Sequence, residues 1–205
     1  MNGPGLSEIL ALSLQHLEIV LITIAIAAAL GIPAAILLVR RPAIRRWALW
    51  FANAGQTIPS LALFGFLIPI PFIGGIGERT AIIALCIYAL LPVLRNSLTG
   101  ILGVDAAVRE SAVAMGMTAH QVLWQVELPL AAPSIMAGLR IATVSTIGTA
   151  TIAAAIGGGG LGVFIFRGLS MADTTTILAG AVPAAIMALI ADEVLEWIER
   201  KLSPA

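Results

Sequence analysis

Long apolar runs, broken by prolines and nearly empty of charge, restrict this chain more than any other feature. A helix needs about 20 mainly apolar residues to cross roughly 30 Å of hydrocarbon. Five segments meet or approach that length: about Leu17–Val39, Ala48–Ile70, Ala81–Leu98, Ala131–Ile156 and Thr175–Ile190. The last is short, and its apolar pattern continues amphipathically through Val194, Trp197 and Ile198. Of the 205 residues, 60% are hydrophobic and 11% charged, whereas soluble domains carry roughly a quarter charged residues. So few charges cannot build an aqueous skin, and lipid must be the main solvent. The expectation is an all-α integral membrane protein with five transmembrane helices, a single domain over residues 1–205. Pro33, Pro59, Pro92, Pro133 and Pro183 lie inside or beside these segments. In a bundle, neighbouring groups can satisfy the carbonyls that such prolines free.

Arginine and lysine set the expected orientation, because cytoplasmic loops hold the excess of both. Arg40, Arg41, Arg45 and Arg46 follow the first span, Arg95 and Arg109 end or follow the third, and Arg200 and Lys201 follow the fifth. The other side receives only Arg79 and Arg167. The N-terminus is therefore expected outside and the C-terminus in the cytoplasm. Residues 1–18 hold Glu8 and Glu18 but no Lys or Arg, so a cleaved signal peptide is not expected. Arg140 stands apart inside span four, where it either snorkels to the cytoplasmic surface or lines an aqueous cavity. Lys and Arg balance Asp and Glu to a net charge of zero, and no bulk field points to nucleic acid. The lone cysteine, Cys86, excludes an internal disulfide and reads as buried packing. His16 and His120 are placed on opposite sides, which leaves no shared metal site. No Ser/His/Asp or Cys/His set is assembled, so no catalytic residue and no enzymatic activity are expected. No convincing internal repeat is visible, which weakens a secondary-transporter reading.

The segment between spans three and four, about 105–129, is too polar to span and too regular to be a linker. Asp105 can cap a short helix whose apolar side is Val108, Ala112 and Met115. Gly116 stops that helix, and Thr118 with Gln121 fits a capping box for a second. Val122, Leu123 and Val126 continue an apolar side. Pro129 is expected to limit the second helix and to push Leu128 toward an extended conformation. The product is a two-helix knob joined to a span, placed on the cytoplasmic face by the arginine distribution.

The spacing Glu110-Ser111-Ala112, then Gly116, Val126 and Leu128-Pro129 resembles the signature of permease subunits of bacterial ABC importers. Ser111 and Val126 replace an alanine and an isoleucine of that pattern. The resemblance implies a type I importer (MetI-like) permease of the bacterial inner membrane. Its short cytoplasmic coupling helix would dock in an ATP-hydrolysing subunit, with Glu110 as the docking acid. Glu110 also suits the electrostatics of a helix start. The phrases QTIPSLALFGFLIP from Gln56, ALLPVLRNSLTGI from Ala89 and GTATIAAAIGGGGLG from Gly148 resemble the osmoprotectant group, which imports glycine betaine, choline and carnitine. The likeness runs from about Leu17 to Lys201. It implies a second permease subunit, identical or related, two ABC ATPase subunits that bind ATP and Mg, and an extracytoplasmic substrate-binding protein. No cofactor is expected on this chain itself.

Polar residues within spans should face the bundle interior or a wet cavity. Asn53, Gln56, Thr57 and Ser60 form one face of span two, and Thr143, Ser145, Thr146, Thr149 and Thr151 cluster in span four. Asn53, Gln56, Thr57, Ser60, Thr146 and Thr149 are the candidates for a translocation path. Interhelical hydrogen bonding and close packing would use the same residues. The run Gly157, Gly158, Gly159 and Gly160 lacks the Gly-Lys-Ser/Thr of a phosphate loop. It suits an external gate or a docking site for a binding protein, and equally a close helix approach. Aromatic residues are scarce for a quaternary-ammonium cage, with Trp47, Trp50 and Trp197 near membrane boundaries and Trp124 in the knob. That points to a separate partner that captures substrate. The same machine importing methionine or a sulfonate, an ATP-independent transporter or channel, and a non-transporting scaffold are the alternatives.

Overall fold

Inside hydrocarbon a chain must pair every backbone N–H and C=O within itself, and a helix does this locally. The computed structural model describes residues 4–71 and 73–202, and every regular element among them is helical. Helix α1 spans Leu6–Val39 and starts well before Leu17, with Gly5 as its N-terminal cap residue. The second expected span is not one helix. It divides into α2, Pro42–Thr57, and α3, Ser60–Leu67. Pro59 is the cause: it pushes Ile58 to an extended conformation, φ −72° and ψ 127°, which a helix cannot continue through.

Helix α4, Glu78–Leu102, is followed by α5, Ala106–Ala114, and the short α6, Ala119–Val122. A π-helical turn over Leu123–Glu127 leads directly into α7, Leu128–Ala153, which ends in a 3-10 turn at Ala154–Ile156. Helix α8, Gly162–Met171, lies between the fourth and fifth expected spans, where no helix was expected, and α9, Thr174–Leu202, runs well past Ile190. Among the described residues, four helical stretches are long and apolar enough to cross a membrane: Leu6–Val39, Glu78–Leu102, Ala119–Ile156 and Thr174–Leu202. The interrupted α2–α3 pair is not one of them.

Helix α4 is the hub, packing most extensively on α7 and α1 and also on α2. The main core joins Ile19 and Val20 of α1, Phe64 of α3, Ala84 and Leu85 of α4, and Ile147 and Ala150 of α7. Small residues let the backbones close in. At Gly138 an added Cβ would lie 2.6 Å from Asn96 Cβ and 2.9 Å from the Pro92 carbonyl oxygen. Outward faces are apolar, with Leu14, Leu21, Leu30 and Leu37 on α1 and Leu178, Ile186 and Leu189 on α9 all exposed. That inside-out distribution suits a lipid solvent.

Arg140 lines a cavity with Ser145, Asp192 and Glu199, and it does not stand alone there. Its guanidinium grips Asp192 bidentately at 2.5 and 2.9 Å and reaches Glu196 at 2.7 Å, with Glu199 at 3.7 Å. The acids recur at helical spacing on α9, so one face of α9 is tied to α7 while Val194 and Trp197 point outward.

Replacing Gly138 by Leu should separate α4 from α7 and cost about 1–3 kcal/mol of stability, as overpacking does. Thermal unfolding in detergent measures this. Gly65→Ala on α3 is the control, because nothing lies within 4 Å of its added Cβ, and its midpoint should not fall.

Candidate functional site

A polar site in the bundle grows out of one proline. Pro92 has no N–H, so the Tyr88 carbonyl loses its helical partner. Gln56 Nε2 of α2 donates to that carbonyl at 2.8 Å. The Tyr88 hydroxyl in turn donates to the Ile58 carbonyl at 2.5 Å, across the break between α2 and α3. Farther along α4, Arg95 Nη2 donates to Asn53 Oδ1 at 2.7 Å. The broken α2–α3 pair is thus stapled to α4 by three side-chain hydrogen bonds.

Next to the staple lies a cavity of about 230 Å³ lined by Gln56, Tyr88, Ser145, Thr146 and Thr149, with Leu85 and Ala89. Of the predicted path residues, the structure brings Gln56, Thr146 and Thr149 together there. Asn53 is taken up by Arg95, Thr57 Oγ1 donates back to the Ala54 carbonyl of its own helix at 2.8 Å, and Ser60 opens α3 away from the cavity wall. Thr149 and Thr143 also return hydrogen bonds to their own helix, to the Ser145 and Leu139 carbonyls. Tyr88 was not among the predicted residues. Its signal was present, since a helical residue four before a proline offers a free carbonyl.

The glycine run is held rather than loose. Gly157, Gly159 and Gly160 have φ of 74°, 80° and 70°, and Gly158 and Gly160 are buried. The Gly160 N–H donates to Gln15 Oε1 at 3.0 Å, and the Leu161 N–H donates to His16 Nδ1 at 3.3 Å. A backbone N–H can only donate, so Nδ1 accepts and the ring proton sits on Nε2. Nε2 then donates to the Ile147 carbonyl at 3.1 Å. The buried His16 of α1 therefore joins the run to α7.

The knob between α4 and α7 forms as its caps dictate. Asp105 Oδ1 accepts from the Ala107 N–H at 2.9 Å. Gly116 turns at φ 85°, with its N–H on the Val113 carbonyl and the Met117 N–H on the Ala112 carbonyl. This is the paired closure of a Schellman motif, and it requires a left-handed residue. Thr118 and Gln121 complete a capping box, with Thr118 N–H donating to Gln121 Oε1 at 2.8 Å.

Two expectations fail at the knob. On the expected apolar side of α5 only Ala112 is buried, at 2%, whereas Val108 and Met115 stand 41% and 76% exposed; beyond Gly116, Val122 is buried and Leu123 and Val126 half-buried, as expected. Helix α5 turns Arg109 and Ala112 inward instead, and Glu110 and Ser111 face out. Pro129 also does not end the second helix, nor is Leu128 extended, its φ being −67° and ψ −45°. Pro129 sits at the second residue of α7, and the widened π turn lies where the Gln125 carbonyl would otherwise meet the proline ring. Val126 and Leu128 are half-buried. Beneath the knob, Arg109 Nε meets Glu127 Oε1 at 2.7 Å, and Arg109 Nη2 donates to the Ile101 carbonyl.

Residues 27–204 match the family of binding-protein-dependent transport system inner membrane components. The chain belongs to that family. It is 44% identical over 198 residues to the choline transport system permease protein OpuBB of Bacillus subtilis, covering 97% of this chain and 90% of that one. It is 49% identical over 179 residues to the glycine betaine/carnitine/choline transport system permease protein OpuCD of the same organism, covering 87% and 77%. The carnitine transport permease protein OpuCD of Listeria monocytogenes is 46% identical over 179 residues, covering 87% and 79%. In fold, the chain is similar to the inward-facing MetNI methionine ABC transporter, with a TM-score of 0.89 over the whole of both chains at 23% identity.

The cavity is a polar pocket within the bundle, and the knob is an exposed two-helix surface joined to α7. Tyr88→Phe should leave the Ile58 carbonyl without its donor and cost about 1–3 kcal/mol, read as a lower unfolding midpoint in detergent. Thr149→Val, whose hydroxyl bonds only within its own helix, should leave that midpoint nearly unmoved.

Proposed function

We propose that this chain is one half of the translocation pore of an ATP-driven importer for osmoprotectants such as choline, glycine betaine or carnitine. The observation that carries the reading is the exposed two-helix knob, continuous through the π turn with α7. A rigid knob fixed to a span can pass a partner's movement into the bundle, whereas a loose loop cannot. The exposed Val108 and Met115 favour a partner that covers them, which an ATP-independent channel would not supply. Helix α5 is then the coupling helix, docking through Glu110 and Ser111, with the inward Ala112 and with Gly116, Val126, Leu128 and Pro129 holding its angle to α7. The cargo named for the permease relatives supports the cargo class.

In this reading the α2–α3 pair completes a set of five spans, the N-terminus lies outside, and the knob and C-terminus face the cytoplasm. The arginine distribution supports that orientation. Two permease subunits pair with two ATPase subunits, which bind ATP and Mg, and an external binding protein delivers substrate. Gln56, Thr146 and Thr149, joined by Tyr88 and Ser145, line the path, with Asn53 and Thr57 supporting the wall and Ser60 outside it at the start of α3. The Gly157–Gly160 run closes the external end. Alternating access results as ATP closes the partner subunits and draws the two coupling helices together. This chain carries no chemistry of its own.

Glu110→Lys with Gly116 intact should weaken docking and reduce ATP-driven uptake about tenfold, the effect of roughly 1.4 kcal/mol of lost association energy. Uptake of labelled choline by proteoliposomes containing the partner subunits measures it, and uptake at the unaltered rate would remove the coupling role. Competition by methionine, but not by carnitine or glycine betaine, would overturn the cargo.

A further inference from the structure

One guanidinium lies where three segments meet beneath the knob. Arg109 belongs to α5, the Ile101 carbonyl to the last turn of α4, and Glu127 to the end of the π turn that runs into α7. The last carbonyls of a helix lack intrahelical partners, so the Ile101 oxygen is open to a side-chain donor. Among the described residues Glu127 is the one Asp, Glu, Lys or Arg that is buried, with its side chain 8% exposed. A buried carboxylate stays in place only when paired, and Arg109 meets it at 2.7 Å.

The knob has two turns at which it could pivot, the Gly103–Asp105 link before α5 and the Gly116 turn after it. Arg109 and the buried Ala112 are the inward face of α5 between those turns. The π turn contributes as well. One extra residue in a helix rotates the downstream residues by about 100°, so the phase of Glu127 toward α5 depends on that turn.

We propose that Arg109 is a positioning residue, a latch that locks α5 to both α4 and α7 through Ile101 and Glu127 so that a push on α5 reaches the bundle. It rests on the reading of α5 as the docking helix. Glu110 meets the partner on the outer face, and Arg109 transmits from the inner one. Lysine cannot replace it, because a point charge lacks the planar fork that addresses two acceptors at once.

The test uses the assembled importer in proteoliposomes, with ATP hydrolysis and choline uptake measured on the same sample. Arg109→Lys, Arg109→Gln and Glu127→Gln should each retain the ATPase subunits and hydrolyse ATP within about twofold of the unaltered protein. Uptake per ATP should fall about tenfold in each, and the Arg109→Gln/Glu127→Gln pair should be no worse than either single change, since both remove one unit. Hydrogen exchange in the intact complex should quicken over residues 106–114. Additive losses, or unchanged exchange and unchanged uptake per ATP, would overturn the latch. If Glu127→Gln fails to assemble, Arg109→Lys alone decides by the same two readouts. Glu110→Lys in parallel separates the two ideas: uptake unaffected by it refutes the docking role, whereas lost ATPase binding there with normal coupling in the Arg109 variants refutes only the latch.

Discussion

At four breaks or ends of helices in this protein, a backbone group that hydrocarbon cannot solvate is answered by a side chain from another element. Pro92 frees the Tyr88 carbonyl, which takes Gln56. Pro59 breaks the second span at Ile58, whose carbonyl takes the Tyr88 hydroxyl. The Gly160 and Leu161 N–H groups after the 3-10 turn take Gln15 and His16. The end of α4 takes Arg109. In water such groups would be hydrated at little cost, but in lipid each unmet group costs several kcal/mol. Gln15, His16, Gln56, Tyr88 and Arg109 are therefore structural before they are anything else. The places where they gather are also the places where the chain departs from a straight helix.

That coincidence bears on transport. A path through a bundle needs polar surface and elements that can change angle, and broken helices supply both. The cavity beside Gln56 and Tyr88 sits against the α2–α3 break and beside Pro92, where α4 lacks one rung of its ladder. The knob, by contrast, is built to resist bending. Its caps, its Schellman turn and the ion pair beneath it leave few free backbone groups, and the π turn merges it with α7. In the proposed importer, stiffness at the knob and compliance near the cavity are complementary parts of one device.

Charge is used sparingly and in pairs. Arg140 would be costly inside a bundle alone, yet its three acidic neighbours on α9 make it a tie between helices. Arg109 and Glu127 do the same beneath the knob. At the opposite extreme, α2 leaves Trp47, Trp50 and Phe51 exposed, with their rings packed edge to face, and Lys201 lies 3.9 Å from the Trp197 ring centre. Those groups suit an interface where one side is wet and the other apolar.

Periodicity and composition alone determined that the chain is helical and lives in lipid, because apolar length and charge count depend on nothing but the residue order. The caps at Asp105 and Thr118 and the turn at Gly116 were equally legible, since each is a contact between residues two to five apart. Family membership was legible in the Glu110-to-Pro129 spacing for the same local reason. Pro129 misled because its effect depends on what the preceding turn can do, and a π turn let the helix pass. Val108 and Met115 misled because an apolar side chain faces inward only if this chain covers it. Tyr88 as the staple, His16 as the clasp of the glycine run, and the grips of Arg109 and Arg140 join residues far apart in sequence. No local pattern encodes which distant carbonyl or carboxylate will lie within hydrogen-bond reach of a donor. Only the packing of α1 and α7 on α4, and of α9 on α7, decides that.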